Sequence, residues 1–442
     1  MSANARERRF LIVSPHFPPV NAPDHQRVRM SLPYFTELRW QPTVLAVRPD
    51  CLEGCVTDPL LEKTVPKNIE VIRVGAIPFY LTRVLGGGSL ALRALLTLHW
   101  AGNRLLRDRK FDLIFFSTTQ FPVMILGPIW RHRFGVPYVV DFQDPWLSDY
   151  YQRNPGKRPP GGRLKYGFSQ WLAKRFEPAA VRGAAHVVCV SKAYVETFKR
   201  RYPDVPGKNF TILPFGAAEL DLAALQNLRV SHRIFDPADG KEHCVYIGRG
   251  GQDMAFAVRA FFTALKRYAD ENSNLSERLH IHFVGTDYAP KDRARKTIEP
   301  LALECGVGKL VSEQTDRLPY FETLRCLSDA DALFIPGSDD PGYTASKLFP
   351  YVLAKKPLLG VFHEASSVVE ILRATKAGRV VTFGARKNLG EVADEIYQKW
   401  FAHWPLPLPA TDWNAFASYT ARSMTRKLCE VFDSVVRGRS QT

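Results

Sequence analysis

Much that would mark a membrane or secreted protein is missing from this sequence. The longest uncharged stretch, Leu113 to Trp130, is broken by Ser117, Thr118, Thr119, Gln120, Pro122 and Pro128, and it reads as a buried strand followed by a packed helix. The basic start is followed only by Phe10–Val13, too short for the apolar region of a signal peptide, so no anchor or leader is expected. Cysteine is sparse and odd in number. Of the seven, only Cys51 and Cys55 are close, spaced C-x3-C with no second Cys or His pair to complete a zinc site; free thiols in a reducing cytosol and no metal are expected. The dinucleotide fingerprint G-x-G-x-x-G is absent. So are a nucleic-acid-binding module and a basic–aromatic repeat, and no nucleic-acid partner is expected. Acidic residues are in deficit: 44 Asp plus Glu against 60 Lys plus Arg leaves a net charge of +16. That excess attracts phosphates, whether on nucleotides or on an anionic membrane surface.

The 442 residues suffice for two or three domains, and 45% hydrophobic with 24% charged residues is an ordinary globular mixture. Short apolar runs occur at Phe10–Ser14, Pro42–Val47, Glu70–Val74, Leu113–Ser117, Tyr138–Asp141, His186–Ser191 and Phe210–Leu213. The pattern restarts at Cys244–Ile247, Ile281–Val284, Lys309–Val311, Ala332–Ile335, Leu358–Val361 and Arg379–Thr382. Helix-length segments lie between most of them, which predicts an α/β protein with two Rossmann-like, doubly wound parallel sheets. The expected division is a first domain over 1–220, a linker over 221–241 and a second domain over 242–404. Residues 405–442 form a proline-rich crossover and a C-terminal helix, predicted as one amphipathic piece from about Trp413 to Val436 capped by Thr411 or Asp412.

Four strand-to-helix connections carry chemistry-bearing residues. The first, Ser14 to Arg27, contains His16, Asn21, Ala22, His25 and Arg27, where ligands commonly gather in such sheets; an irregular connection is the plainer reading. The segment Val139-Val140-Asp141-Phe142-Gln143-Asp144-Pro145-Trp146 ends a strand with two carboxylates that could hold sugar hydroxyls or a developing positive charge, or simply cap a turn. Gly248-Arg249-Gly250-Gly251 opens the second half as a glycine turn; its backbone amides could meet an oxyanion and Arg249 neutralise it, against a plain turn with a solvated arginine. Gly342-Tyr343-Thr344-Ala345-Ser346-Lys347 offers backbone donors, a hydroxyl and a cation at a helix start, where the dipole disfavours lysine unless an anion is bound nearby.

Together with the Glu177 helix, the Cys189-Val190-Ser191 strand end and the C-terminal helix, these segments resemble a GT-B glycosyltransferase of the retaining family-4 (group 1) type. The resemblance covers nearly the whole chain. It implies a hexosyltransferase moving a sugar from a nucleotide-diphosphate sugar, UDP or GDP being the expected carriers, to a glycan or lipid-linked acceptor, with retention and with no metal or other cofactor. The donor would lie on the second domain and the acceptor on the first, against a C-terminal helix that crosses back to the first domain. The implied catalytic residues are Asp141, Gln143, Asp144, Arg249 and Lys347. The implied donor-binding residues are Gly248, Gly250, Gly251, Gly285, Thr286, Asp340, Gly342, Tyr343, Thr344, Ala345 and Ser346. The chain departs from the family's pattern at several points. Gly342 and Pro350 stand where many members carry two glutamates, and Gln143 where many have histidine. Asn21-Ala22 replaces a glycine pair, and Asp253-Met254-Ala255 occupies a stretch that usually holds a lysine. Two other readings remain: a nucleotide-sugar 2-epimerase, and a non-catalytic basic binding protein on the same fold.

Two segments bear on location. Leu81 to Arg109 interleaves arginines with leucines and Trp100, and Arg163 to Phe176 repeats the theme with more aromatics. Such stretches suit an anionic leaflet, or else their apolar residues face the core. A cytoplasmic protein with peripheral contact at the inner face of the plasma membrane is the expectation.

Overall fold

The computed structural model describes residues 6–83, 88–153, 162–287, 289, 293–343 and 345–439. The chain divides into two compact units, Met1–Gly216 with Ala421–Thr442, and Ala217–Thr420. Each is built on one wholly parallel sheet. The first sheet holds β1 (Arg8–Val13), β2 (Trp40–Val47), β3 (Glu70–Val74), β4 (Leu113–Ser117), β5 (Tyr138–Phe142), β6 (His186–Cys189) and β7 (Phe210–Ile212), in the order β3-β2-β1-β4-β5-β6-β7. The second holds β8 (Glu242–Ile247), β9 (Leu279–Val284), β10 (Val311–Gln314), β11 (Ala332–Pro336), β12 (Leu358–His363) and β13 (Arg379–Phe383), in the order β10-β9-β8-β11-β12-β13. All thirteen apolar runs therefore become strands. The most displaced run is β10: Gly308–Leu310 winds into a 3-10 turn, so the strand starts at Val311 rather than Lys309.

Both faces of the first sheet are covered, as continuous apolar runs require. Leu11, Val13, Ile114, Phe116 and Val140 point to one face and pack with helices Leu90–Asp108, Leu126–Phe134 and Gly162–Gly183. Phe10, Ile12, Phe115 and Val139 point to the other, against helices Gln26–Phe35 and Ala421–Arg439. Phe432 of that last helix lies 5.2–5.4 Å, centroid to centroid, from Phe10, Trp40 and Phe115, and the Trp40 Nε1–H donates to Asp433 Oδ1 at 3.0 Å. The C-terminal helix is thus part of the first unit's core, as the resemblance implied.

The expected single helix from Trp413 is broken. Asp412 caps a short helix, Trp413–Phe416, by accepting the Ala415 N–H at 3.0 Å; a 3-10 turn follows at Ala417–Tyr419, and Thr420 is extended (φ −66°, ψ 154°). The break has a backbone cause: the Ala217 N–H donates to Tyr419 O at 2.8 Å, pairing the two points at which the chain passes between the units. The stretch expected as a linker is also held. Residues 221–241 lie in the second unit, where helix Glu219–Asn227 accepts the Tyr320 hydroxyl at Asp221 (2.7 Å) and Val230 O accepts from Arg325 Nε (3.1 Å). Residues 405–420 stay with that unit as well, the Asp412 N–H donating to Thr375 O at 2.7 Å.

Candidate active site

In a doubly wound sheet the loops that follow the two central strands diverge where the strand order reverses, and ligands bind there. The reversal falls between β1 and β4 in the first unit and between β8 and β11 in the second. Each pair of loops carries a polar cluster.

In the first unit, the Asp24 carboxylate accepts His16 Nδ1–H (2.9 Å), the Thr118 hydroxyl (3.0 Å) and the Thr119 N–H (3.2 Å). Burial alone would raise this carboxyl, but His16, His25 and Thr118 outweigh it and hold its pKa at about 2. An ionised Asp24 fixes the His16 tautomer, leaving Nε2 of a partly exposed ring as the nitrogen that a ligand can meet. The other residues expected on this loop turn inward. His25 is buried with Nε2 2.6 Å from Val20 O, and burial lowers its pKa to about 4. Asn21 and Ala22 are buried, their N–H groups donating to Val56 O and Val20 O. Arg27 lies on the following helix, where Nε meets Asp141 Oδ2 at 2.7 Å and Nη2 meets Leu213 O at 2.7 Å.

This arrangement corrects the expectation for Asp141 and Gln143. Asp141 has no exposed surface, and its Oδ2 accepts from Arg27, from the Ser117 hydroxyl (2.8 Å) and from the Gln143 amide (3.0 Å). That amide also donates to Asp24 O at 2.9 Å. The two side chains tie the ends of β4 and β5 to the first loop, and Asp141 Oδ1 is buried with no hydrogen-bond partner among the described residues. Asp144 is the exposed member of the trio. The loop carrying it is held by Glu177, which accepts the Leu147 N–H (2.9 Å) and the Tyr202 hydroxyl (2.8 Å) and pairs with Arg201. Burial raises the Glu177 pKa despite Arg201 beside it.

In the second unit, Lys347 caps the start of helix Leu348–Leu353 and points its Nζ at the Tyr246 hydroxyl (2.7 Å), which itself donates to Arg249 O (2.7 Å). Gly248 makes this approach possible, since a Cβ there would sit 2.0 Å from the Lys347 Nζ. Arg249 meets the Asp253 carboxylate with both Nη atoms (2.9 and 2.7 Å) and stacks 5.0 Å above the Tyr343 ring. Burial, then the Arg249 charge, lower the Lys347 pKa to about 7; Asp253 only partly opposes them, and Arg317 adds to them. Lys347 and Arg249 share the Asp253 carboxylate, and the field at the Lys347 amine is net positive. Asp253 and Tyr246, which complete the cluster, were missed. The signal was present in the spacing, four residues after and three before Arg249, but neither residue type is distinctive alone.

Other donor-side expectations change. The Gly248 and Gly250 N–H groups donate to Val284 O and Thr286 O at 2.8 Å, so they brace the turn against the β9 loop and do not face an oxyanion. Gly251 and Gly285 have positive φ (138° and 72°), which the turn needs. Thr286 is buried, its hydroxyl donating to Glu313 at 2.6 Å. Asp340 Oδ1 accepts the Gly342 N–H at 2.9 Å, and Tyr343 donates its N–H to Asp340 O at 3.0 Å, so this carboxylate shapes its own turn. Ala345 is buried and Ser346 exposed; Thr344 lies outside the described residues.

Residues 25–216 match the family model of the glycosyl transferase 4-like domain. That match lies within the first unit. The whole chain is similar in fold to an alpha,alpha-trehalose 6-phosphate synthase from Burkholderia multivorans (12% identity, TM-score 0.61, 99% of this chain and 98% of that one). It is also similar to WaaG, a glycosyltransferase involved in lipopolysaccharide biosynthesis (15%, 0.52, 97% and 98%). A putative UDP-N-acetylglucosamine 2-epimerase from Listeria monocytogenes shares the architecture too (10%, 0.54, 99% and 98%). No curated protein matches the chain. The two-sheet fold is the one these three proteins share.

Proposed function

We propose that this protein transfers a sugar from a nucleoside-diphosphate sugar, with UDP or GDP as carrier, to a glycan or lipid-linked acceptor, and that it does so with retention of anomeric configuration. The observation that carries this reading is the Lys347–Arg249–Asp253 cluster, where an amine is pushed to about 7 by burial and a neighbouring cation. A diphosphate supplies the missing negative charge, restores that amine to its charged form, and is stabilised as it departs. These side chains neutralise the leaving group without a metal. On the first unit, exposed Asp144 and partly exposed His16 are assigned to the acceptor side, with Asp24, Asp141 and Gln143 bracing their loops. The acceptor hydroxyl attacks the anomeric carbon, the bond to the diphosphate breaks with its electron pair leaving on the phosphate oxygen, and the hydroxyl proton passes to that oxygen. The +16 excess fits a peripheral enzyme on the cytoplasmic face of an anionic membrane.

Thermal shift against UDP, GDP and ADP tests the donor site, because ligand binding raises apparent stability by mass action. Arg249→Ala should abolish the shift, and unaltered nucleotide binding in that variant would refute the assignment. The Listeria neighbour keeps epimerisation as the second reading. Nucleotide released only when an acceptor is supplied supports transfer, and the product's anomeric proton coupling by NMR reads retention or inversion.

A further inference from the structure

We infer that the helical layer formed by Leu90–Asp108, Leu126–Phe134 and Gly162–Gly183 is the face by which the protein docks on an anionic lipid surface; this deepens the proposed function by giving its membrane contact a place. Helix Leu126–Phe134 lies against both of the others, so the three form one layer over one face of the first sheet. Their inward sides are already occupied: Leu98, Leu105, Trp130, Ala173 and Ala180 fill the core. A second set of large apolar side chains points outward from the same helices. Leu164 is 93% exposed, Trp100 65%, Trp171 59% and Leu96 53%. Leu164, Phe168 and Trp171 recur at i, i+4 and i+7, which puts them on one side of their helix, and the Phe168 and Trp171 rings stack 6.1 Å apart. The opposite layer, helices Gln26–Phe35 and Ala421–Arg439, exposes no large apolar side chain among the described residues.

Charge selects the occupant. Arg131, Arg133, Arg163, Lys165, Lys174 and Arg175 are exposed on these helices. The helices' only acids are Asp108 and Glu177, and Glu177 is buried in its pair with Arg201. Lys165 and Lys174 make no ion pair among the described residues. Not every arginine that the sequence offered takes part: Arg93 is buried and donates to Ile77 O and Cys51 O. Bare aromatic and aliphatic side chains ringed by cations match the interface of an anionic bilayer, where rings seat at the headgroup level and cations meet phosphate.

The test is co-sedimentation of the full chain with vesicles of neutral phosphatidylcholine, or of the same lipid with phosphatidylserine. Binding should require the anionic lipid and fade as salt rises from about 0.1 to 0.5 M, because attraction is screened over a few ångströms there. Lys165→Glu with Lys174→Glu should lower partitioning by about tenfold or more, and Leu164→Ser with Phe168→Ser and Trp171→Ser should also lose it. Arg426→Glu with Lys427→Glu, the same charge change on exposed residues of the opposite layer, should leave it nearly intact. Equal loss in both charge variants would mean that net charge alone binds lipid and would overturn the assignment. So would equal binding to both vesicles or to neither, or a dimer in solution that the triple serine variant dissociates. Nucleotide thermal shift run in parallel keeps the readings apart: its absence refutes the donor site and leaves the vesicle result standing.

Discussion

Replacing Lys347 by methionine should stabilise the free protein while removing a proton-coupled component of nucleotide binding. The amine titrates at about 7 against an ordinary 10.5, so the folded state carries fewer protons than the unfolded chain between those values. Stability therefore rises with pH from about 7 to about 10.5, and below about 7 the charged amine imposes its whole cost on the fold. At about 1.4 kcal/mol per pH unit the full shift corresponds to about 5 kcal/mol. Methionine removes that cost but forfeits the 2.7 Å bond to Tyr246, worth about 1.5–3 kcal/mol for a charged donor. Below about pH 7 a net gain of about 2–3.5 kcal/mol remains, or about 4–14 °C in the unfolding midpoint of a unit of this size. Nucleotide binding supplies the complementary readout. At pH 8 an amine of pKa about 7 is about nine-tenths neutral, so a bound diphosphate that restores its charge must draw in about 0.9 proton. Calorimetry with UDP in two buffers of different ionisation enthalpy measures that number directly. Lys347→Met should show no uptake, a weaker affinity and a higher midpoint. Wild-type binding without proton uptake at pH 8, or a destabilised methionine variant, would refute the reasoning.

Other outcomes follow from the same geometry. Gly248→Ala should displace the Lys347 amine, which its Cβ would meet at 2.0 Å, press on the buried Tyr246 hydroxyl at 2.9 Å, and cost nucleotide affinity about tenfold or more, read by the same calorimetry. Gly102→Ala should destabilise the first unit by about 1–3 kcal/mol or more, because its Cβ meets the buried Trp130 ring at 2.1 Å; urea unfolding checks it. Asp24→Asn should remove an acid-sensitive contribution. With a folded pKa of about 2, that stability is present above about 4 and lost as pH falls from 4 toward 2, so the variant's acid-unfolding curve should be flatter there. His25 and His186, both buried and lowered to about 4, act in the window above: their neutral forms support the fold above about 6.5, and this support drains away as pH falls toward 4.

The fold was legible because parallel strands announce themselves. Runs such as Leu113–Ser117 and Leu358–Val361 are buried on both faces, so they cannot alternate with polar residues and stand out as continuous apolar blocks. What the pattern could not show was backbone pairing at a distance. The break at Thr420 depends on Ala217, more than two hundred residues earlier, and the helical periodicity of residues 413–436 continues through it. The same holds for residues 221–241, whose polar composition reads as a linker until Tyr320 and Arg325 are seen to hold them.

The candidate site was legible by position more than by role, and the difference has a physical cause. The loops after central strands gather polar groups whether those groups face a ligand or brace the loop, and the sequence does not say which. Asp141 illustrates the bracing case: at a strand end, beside a proline turn, its Oδ2 is met by Arg27, Ser117 and Gln143, and the side chain has no exposed surface. Lys347 illustrates the other. A lysine at a helix start opposes the dipole, and the fold adds a second penalty by placing it beside Arg249 instead of relieving the first. Two unfavourable placements on one side chain, accommodated by a glycine where any Cβ would collide with the amine, are costs to the free protein that a bound anion would offset.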